Sequence, residues 1–418
     1  MSRPPARCLR TLLPFAVLAV LFLGASAEVP TTGSPVPELA VIDDAVLSFM
    51  AEWDVPGMAV GLAKDGRLVF ARGYGFADVE EETPVQPDSL FRIASVSKPI
   101  TAVAILRLVE EGRLSLDDHA FRILADLDPP QGATPDPRLF DITIEHLLTH
   151  TAGFGIDQLG IDPQFGLHQI AAEALGVPRP ASASTLVRYM IGETLLFDPG
   201  TQYRYSNFGY NVLGRVIEEI TGQEYETFVR EEILMPMGIL HMQIGRTRVS
   251  DRAPGEVSYY GSSSGGETSV FSDEGPVAWP DGRWYLEAMD AHGGWITSAI
   301  DMMRFATHVD GFSPPGDALA ADTLESMTAR PSLAIWESSS WWYGLGWSVN
   351  EHGTWWHNGS LDGTTAILVR TDTGLSWFVA ANYRPWLWGP FNSALDDMMW
   401  DAIGRVSDWP SRNLFDEM

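Results

Sequence analysis

Lysine is almost missing from this chain. Of 27 basic residues only Lys64 and Lys98 are lysine, against 55 acids and a net charge of −28. Such a field repels nucleic acid and anionic lipid, and no basic patch with interleaved aromatics interrupts it, so nucleic-acid binding is excluded. Cysteine is scarcer still: Cys8 is the only one. It precedes the apolar run and so does not read as a lipid-attachment site. Everything after residue 27 must therefore be stabilised without disulfides, by a large core. Long apolar runs are lacking too. Leu12 to Leu23 is the longest, and at twelve residues it is shorter than the roughly 20 that a membrane span needs.

That run has another reading. Arg3, Arg7 and Arg10 precede it and Ala25-Ser26-Ala27 follows it, the layout of a secretory signal peptide over residues 1–27. The expected protein is extracytoplasmic, periplasmic or secreted, with no stable membrane insertion after cleavage near Ala27. A Pro/Thr/Gly linker follows over 28–38, then one large domain over 39–410, and a tail over 411–418.

The two lysines that remain are worth locating. Lys98 lies in Phe91-Arg-Ile-Ala-Ser-Val-Ser-Lys-Pro-Ile-Thr-Ala-Val-Ala-Ile-Leu-Arg-Leu-Val-Glu-Glu-Gly112. From about Ser95 this stretch has the apolar spacing of a buried helix, through Ala102, Ile105, Leu106 and Val109, with Gly112 as a left-handed stop. Ser95 and Lys98 are three apart, so one helical turn stacks them on one face. An amine can be tuned by burial to lose its proton, whereas a guanidinium cannot. A serine at a helix N-terminus with an amine one turn on is the layout of an activated nucleophile.

The rest of the chain reads as two β blocks around a helical middle. A helix over roughly Leu39–Glu52 turns Val41, Val46 and Met50 inward. Strands Gly57–Ala63 and Arg67–Tyr74 are joined by Lys64-Asp65-Gly66, a hairpin signal. A mostly helical insertion is expected over about 114–291. Within it Thr143 caps a short helix through Leu148 closed by Gly153, Phe208–Ile220 is an amphipathic helix ended by Gly222, and Tyr225–Leu234 is another. Ala299–His308 reads as a helix. Strands return at Tyr343–Val349, Thr364–Arg370 and Leu375–Ala381, before a last helix near Ala394–Ile403. The expected class is α+β, with an antiparallel sheet assembled from both chain ends, flanked by helices, and a helical subdomain lying against it.

Two more stretches complete a pattern. Phe197-Asp-Pro-Gly-Thr-Gln-Tyr-Arg-Tyr-Ser-Asn-Phe-Gly-Tyr210 puts Tyr205 and Asn207 just before a helix that Asn207 is also placed to cap. Trp355-Trp-His-Asn-Gly-Ser360 puts His357 and Gly359 beside a strand. The order Ser-x-x-Lys, Tyr-x-Asn, His-x-Gly resembles the serine β-lactamase and penicillin-binding-protein superfamily. Within it the chain is similar to the class C branch, which also holds D-alanyl-D-alanine carboxypeptidases, D-aminopeptidases and family VIII carboxylesterases. Leu147-Leu-Thr-His-Thr-Ala-Gly153 and His292-Gly-Gly-Trp-Ile-Thr-Ser298 agree with that likeness. Where relatives carry Lys-Thr-Gly and Ser-Asp-Asn, this chain departs.

The resemblance implies roles. Ser95 would be acylated. Lys98, neutralised by desolvation and neighbouring positive charge, would take its proton, and Tyr205 would share the base role and serve the leaving group and the water. Asn207 would hold Lys98 or a substrate amide. The N–H groups of Ser95 and Ser360, beside Gly359, would form an oxyanion hole. His357 stands where many relatives have lysine. Mostly neutral at about pH 7, it anchors a carboxylate less firmly. Esters or D-amino-acyl amides and peptides are thus expected ahead of β-lactams, with no metal and no cofactor. A non-catalytic binding protein on this fold would be expected to have lost Ser95, Lys98 or Tyr205.

Three other features compete. Gly261-Ser-Ser-Ser-Gly265 matches the nucleophile elbow around Ser263, but no helical pattern follows it. His146 and His150 have zinc-ligand spacing without the glutamate that goes with it. Tryptophans bracket His357, and Trp386 and Trp388 are expected to line an apolar acyl pocket.

Overall fold

The computed structural model describes residues 29–261 and 266–417. The expected signal peptide and Ser263 lie outside them. Helix α1 (Ala40–Trp53) precedes strands β1 (Gly57–Lys64) and β2 (Arg67–Asp78). The hairpin between them turns on Asp65 and Gly66, both at positive φ (52° and 74°), which an Asp-Gly pair accepts at little strain. Helices α2 (Ser97–Glu110), α3 (Ile144–Leu148), α4 (Asn207–Thr221) and α5 (Ala299–Thr307) fill the middle of the chain. Strands β3 (Trp341–Tyr343), β4 (Ser348–Asn350), β5 (Trp355–Leu361), β6 (Thr364–Arg370) and β7 (Leu375–Ala381) follow, and helix α6 (Trp388–Ile403) closes it.

The strands form one antiparallel sheet in the order β2-β1-β7-β6-β5-β4-β3. The two chain ends meet where β1 pairs with β7, from Met58↔Ala381 to Lys64↔Leu375. Both faces are covered, which is why β6 and β7 are buried at every position and show no polar alternation. On one face α1 and α6 pack Ile42, Val46, Phe49, Phe391, Leu395 and Met399 against Val60, Leu62 and Trp377. On the other, α5 lies across β1 and β7, and α2 and α4 build the larger core.

Several expected boundaries shift. In α1 Val46 and Met50 turn inward as expected, while Ile42 takes the fully buried place expected of Val41 and Phe49 joins them. The linker contributes Thr31–Thr32, which pairs with Gly73 and Tyr74 at the sheet edge. The tail lays buried Leu414 into the core while Asn413 accepts from Leu68 N. The helical middle holds Gln243–Ile244, which joins Phe91–Arg92 and Trp295–Thr297 in a small three-stranded sheet. Tyr343–Val349 is two short strands, because Gly344 and Gly346 turn the chain between them. The Tyr225–Leu234 helix changes from α to π winding at Val229. No helix among the described residues is long and apolar enough to cross a membrane.

Candidate active site

Ser95 sits in a single 3₁₀ turn, Ala94–Val96, that leads directly into α2. Ala94 is held at φ 48°, an unfavourable region for a residue with a Cβ. Both sides of the turn are pinned. Ile93 N donates to Trp295 O (3.1 Å), and Thr364 on β6 donates its hydroxyl to Arg92 O (2.7 Å). Beneath it the fully buried Arg92 guanidinium donates to Pro280 O and Arg246 O, pairs with buried Glu256, and stacks 4.2 Å from the Tyr259 ring. A buried charge held by two carbonyls and a carboxylate anchors the strand that delivers Ser95.

Lys98 is fully buried one turn on. Its Nζ lies 2.9 Å from Ser95 Oγ, 2.8 Å from Asn207 Oδ1 and 3.0 Å from His292 O. The last two oxygens can only accept. In the neutral amine they take both N–H groups, and the lone pair is left facing the Ser95 hydroxyl. Burial pushes the Lys98 pKa well below its ordinary value, so the neutral form is the favoured one. The expected positive neighbours are not what achieves this. The charge that acts on Lys98 is the Asp162 carboxylate, which opposes the shift. Burial keeps the nearby His150, His292 and His357 neutral.

Tyr205 precedes α4 and lays its ring 4.8 Å from Lys98 Nζ. Burial raises its pKa, against the opposing effect of a hydrogen bond with Ser95. The phenol therefore rests protonated. Asn207 is the first residue of α4, and Ser206, not Asn207, is the cap: its Oγ accepts from Gly209 N at 3.1 Å. The Asn207 amide is thereby left for Lys98 on one side and Asp162 on the other, where Nδ2 donates at 2.6 Å.

His357 lies inside β5 and not beside it, buried. Nδ1–H donates to Asn358 O (2.7 Å), which leaves Nε2 to accept from the Tyr343 hydroxyl (3.0 Å). Burial pushes its pKa down to about 3, so it carries no charge at neutral pH. Two residues on, Gly359 meets the nucleophile turn. A Cβ there would lie 2.1 Å from Ile93 O and 3.0 Å from Ser95 N, so only glycine lets the strand come this close. Beyond Trp356 the β5 edge away from β6 has no partner strand among the described residues. Ser360 follows, its Oγ accepting from Arg384 Nε at 2.6 Å.

All seven residues singled out from the sequence thus converge on one place, a cavity of about 1060 Å³ that Ser95, Tyr205, Asn207, His357 and Ser360 line. Trp388 lines it as expected. Trp386 does not; it is 82% exposed, and Trp279, Trp284, Trp341 and Trp356 take the wall instead. The histidines with zinc-ligand spacing have separate tasks. His146 Nδ1 accepts from Thr143 N in a capping box. His150, not Gly153, ends α3 in the left-handed region (φ 60°), accepts from Ser206 N, and stacks 4.3 Å from Tyr205.

Sequence reasoning missed Asp162, Gln164, Arg92, Tyr343 and Arg384. Asp162-Pro163 carries a readable helix-start signal, and Asp162 does accept from Gln164 N (2.9 Å). Its link to Asn207 bridges 45 residues and leaves no local trace.

A nucleophile turn, a buried amine, a tyrosine and a strand edge meet around one cavity in a β-lactamase-like fold. The chain belongs to the Beta-lactamase family, whose match covers residues 42–391. It is 25% identical over 334 residues to protein flp of Staphylococcus aureus (strain COL), a stretch that is 78% of this chain and 59% of that protein. The chain therefore spans about three fifths of the length of that relative. Esterase EstB of Burkholderia gladioli is 34% identical over 210 residues, 48% of this chain and 49% of that one. The D-amino acid amidase of Ochrobactrum anthropi SV3 shares the fold at 22% identity, with a TM-score of 0.66 over 89% of this chain and 99% of its own.

Proposed function

We propose that this protein is an extracytoplasmic serine hydrolase that works through an acyl-enzyme on esters or D-amino-acyl amides, ahead of β-lactams. The observation that carries the reading is a fully buried Lys98 whose Nζ lies 2.9 Å from Ser95 Oγ while two acceptor-only oxygens, Asn207 Oδ1 and His292 O, hold it from the other side. Lys98 takes the Ser95 proton as Oγ attacks the substrate carbonyl carbon. The resulting oxyanion is met by Ser95 N at the start of α2 and Ser360 N on the β5 edge. Tyr205, protonated at rest, passes a proton to the leaving group as its bond to carbon breaks, and takes one from the water that frees the acyl group. Asn207 keeps the amine in place.

The substrate ordering rests on His357. A neutral imidazole with both nitrogens engaged offers no cation to a β-lactam carboxylate. EstB, named an esterase, and the amidase of Ochrobactrum anthropi support esters and D-amino-acyl amides. Intact-mass spectrometry after a fluorophosphonate and, separately, a penicillin tests both parts on wild type and Ser95→Ala. One fluorophosphonate adduct, absent from the variant, is expected. Efficient penicillin turnover beside inert p-nitrophenyl esters would reverse the ordering. No adduct from either reagent would favour a non-catalytic binding protein.

A further inference from the structure

Lys98 acts only if its two proton acceptors are held still, and both trace back to one short segment. Asn207 Oδ1 is aimed at Lys98 because Asn207 Nδ2 donates to Asp162 Oδ2 (2.6 Å). His292 O is presented to Lys98 by a residue whose ring Nε2 lies 3.2 Å from Gln164 Oε1. That same oxygen accepts from Asn211 Nδ2 of α4 at 3.1 Å. Asp162 and Gln164 are joined in turn by Gln164 N donating to Asp162 Oδ1 (2.9 Å). The triplet Asp162-Pro163-Gln164 thus touches each acceptor through one side chain, and Gln164 is fully buried while doing so.

We infer that Asp162-Pro163-Gln164 is a positioning segment for the Lys98 base, Gln164 and Asp162 fixing where its lone pair points and the Asp162 charge setting how readily Lys98 holds a proton. The inference rests on the proposed acyl-enzyme function. Among the described residues Asp162 is the one ionised group whose charge acts on Lys98. From the other elements around it come groups that burial keeps neutral: Tyr205 before α4, His150 after α3, His292, and His357 on β5. His168, behind Gln164, is neutral as well, its Nε2 facing Gln164 O at 3.2 Å. Cations around the site include Arg215, paired with Asp290 and Glu218 and acting on His292, and Arg283 and Arg384 in the cavity wall, Arg384 donating to Ser360 Oγ. An ionised Asp162 favours protonated Lys98. As pH falls, a proton taken by Asp162, whose pKa burial lifts to about 6, weakens that hold.

The test is the pH dependence of fluorophosphonate inactivation, followed by intact mass so that every rate refers to modified Ser95. In Asp162→Asn the acid limb should move down by about one pH unit, because a carboxylate beside the amine no longer favours its proton. In Gln164→Met the limb should stay and the plateau rate should fall by about 10- to 100-fold, because His292 O drifts from the amine. Asp162→Glu, which keeps the charge and changes the reach, should lower the plateau with the limb in place, and serves if Asp162→Asn does not fold. Full wild-type plateau in Gln164→Met or Asp162→Glu overturns the positioning role. An unmoved limb in folded, labelled Asp162→Asn overturns the charge role. Wild type that never labels at Ser95 sinks the underlying function and this inference with it.

Discussion

Gly359→Ala adds one methyl group where β5 touches the nucleophile turn. The new Cβ would stand 2.1 Å from Ile93 O and 3.0 Å from Ser95 N. Restoring ordinary contact with the carbonyl needs a separation increase of roughly 1 Å. Neither side yields easily. Ile93 is tied to Trp295 O and Arg92 to Thr364, while β5 is in register with β6 from Trp355 to Leu361. The displacement therefore falls on the gap between Ser95 N and Ser360 N, the two donors assigned to the oxyanion. Misplacement by about 1 Å costs about 10²-fold, and loss of one oxyanion donor about 10²- to 10³-fold. The expected result is a fall of about 100-fold in kcat/KM for a p-nitrophenyl ester, about 3 kcal/mol of transition-state stabilisation. Overpacking should also cost about 1–3 kcal/mol of stability. Fluorophosphonate labelling should slow in parallel, since it depends on the same hole. A variant within threefold of wild type in kcat/KM, with an unchanged Tm, would refute the argument that this close approach shapes the site.

Two further predictions concern proton linkage. Lys98 is neutral in the fold at pH values where the unfolded chain still holds that proton, so the unfolded state binds more protons and stability rises with pH toward the ordinary lysine value of 10.5. In urea titrations between pH 7 and 9, wild type should gain on Lys98→Met by up to about 1.4 kcal/mol per pH unit; parallel profiles would show that Lys98 is charged in the fold. His168, buried between Ala181 O and Gln164 O, has its pKa pushed down to about 4 by that burial. The unfolded chain takes this proton near 6.5, so stability is lost as pH falls from 6.5 toward 4. From pH 7.5 to 4.5 wild type should lose about 2 to 3 kcal/mol more than His168→Phe, and equal losses would show that the imidazole charges in place.

What the sequence determined by itself was the local geometry. The Asp65-Gly66 turn, the glycine stops after α2 and α4, and the apolar runs of β6 and β7 each follow from a few adjacent residues, and they appear within a residue or two of expectation. Ser95 and Lys98 belong with them, because a single turn brings them together whatever surrounds it. Where a local signal was misjudged, a distant partner decided. Gly153 is the better left-handed residue, yet His150 takes the position, since its ring is held by Ser206 N, Tyr205 and Tyr343. His357 shows the same limit. Its residue type sets an ordinary pKa near 6.5, but only burial in β5 against Tyr343 makes it neutral down to about pH 3. The state of Lys98 is likewise tertiary. No spacing along the chain announces that Asn207 and His292, 109 and 194 residues away, supply the two oxygens that direct its lone pair. Side-chain periodicity reports which face of an element is buried. Desolvation and hydrogen bonding depend on what is packed against that face, and only the folded chain decides that.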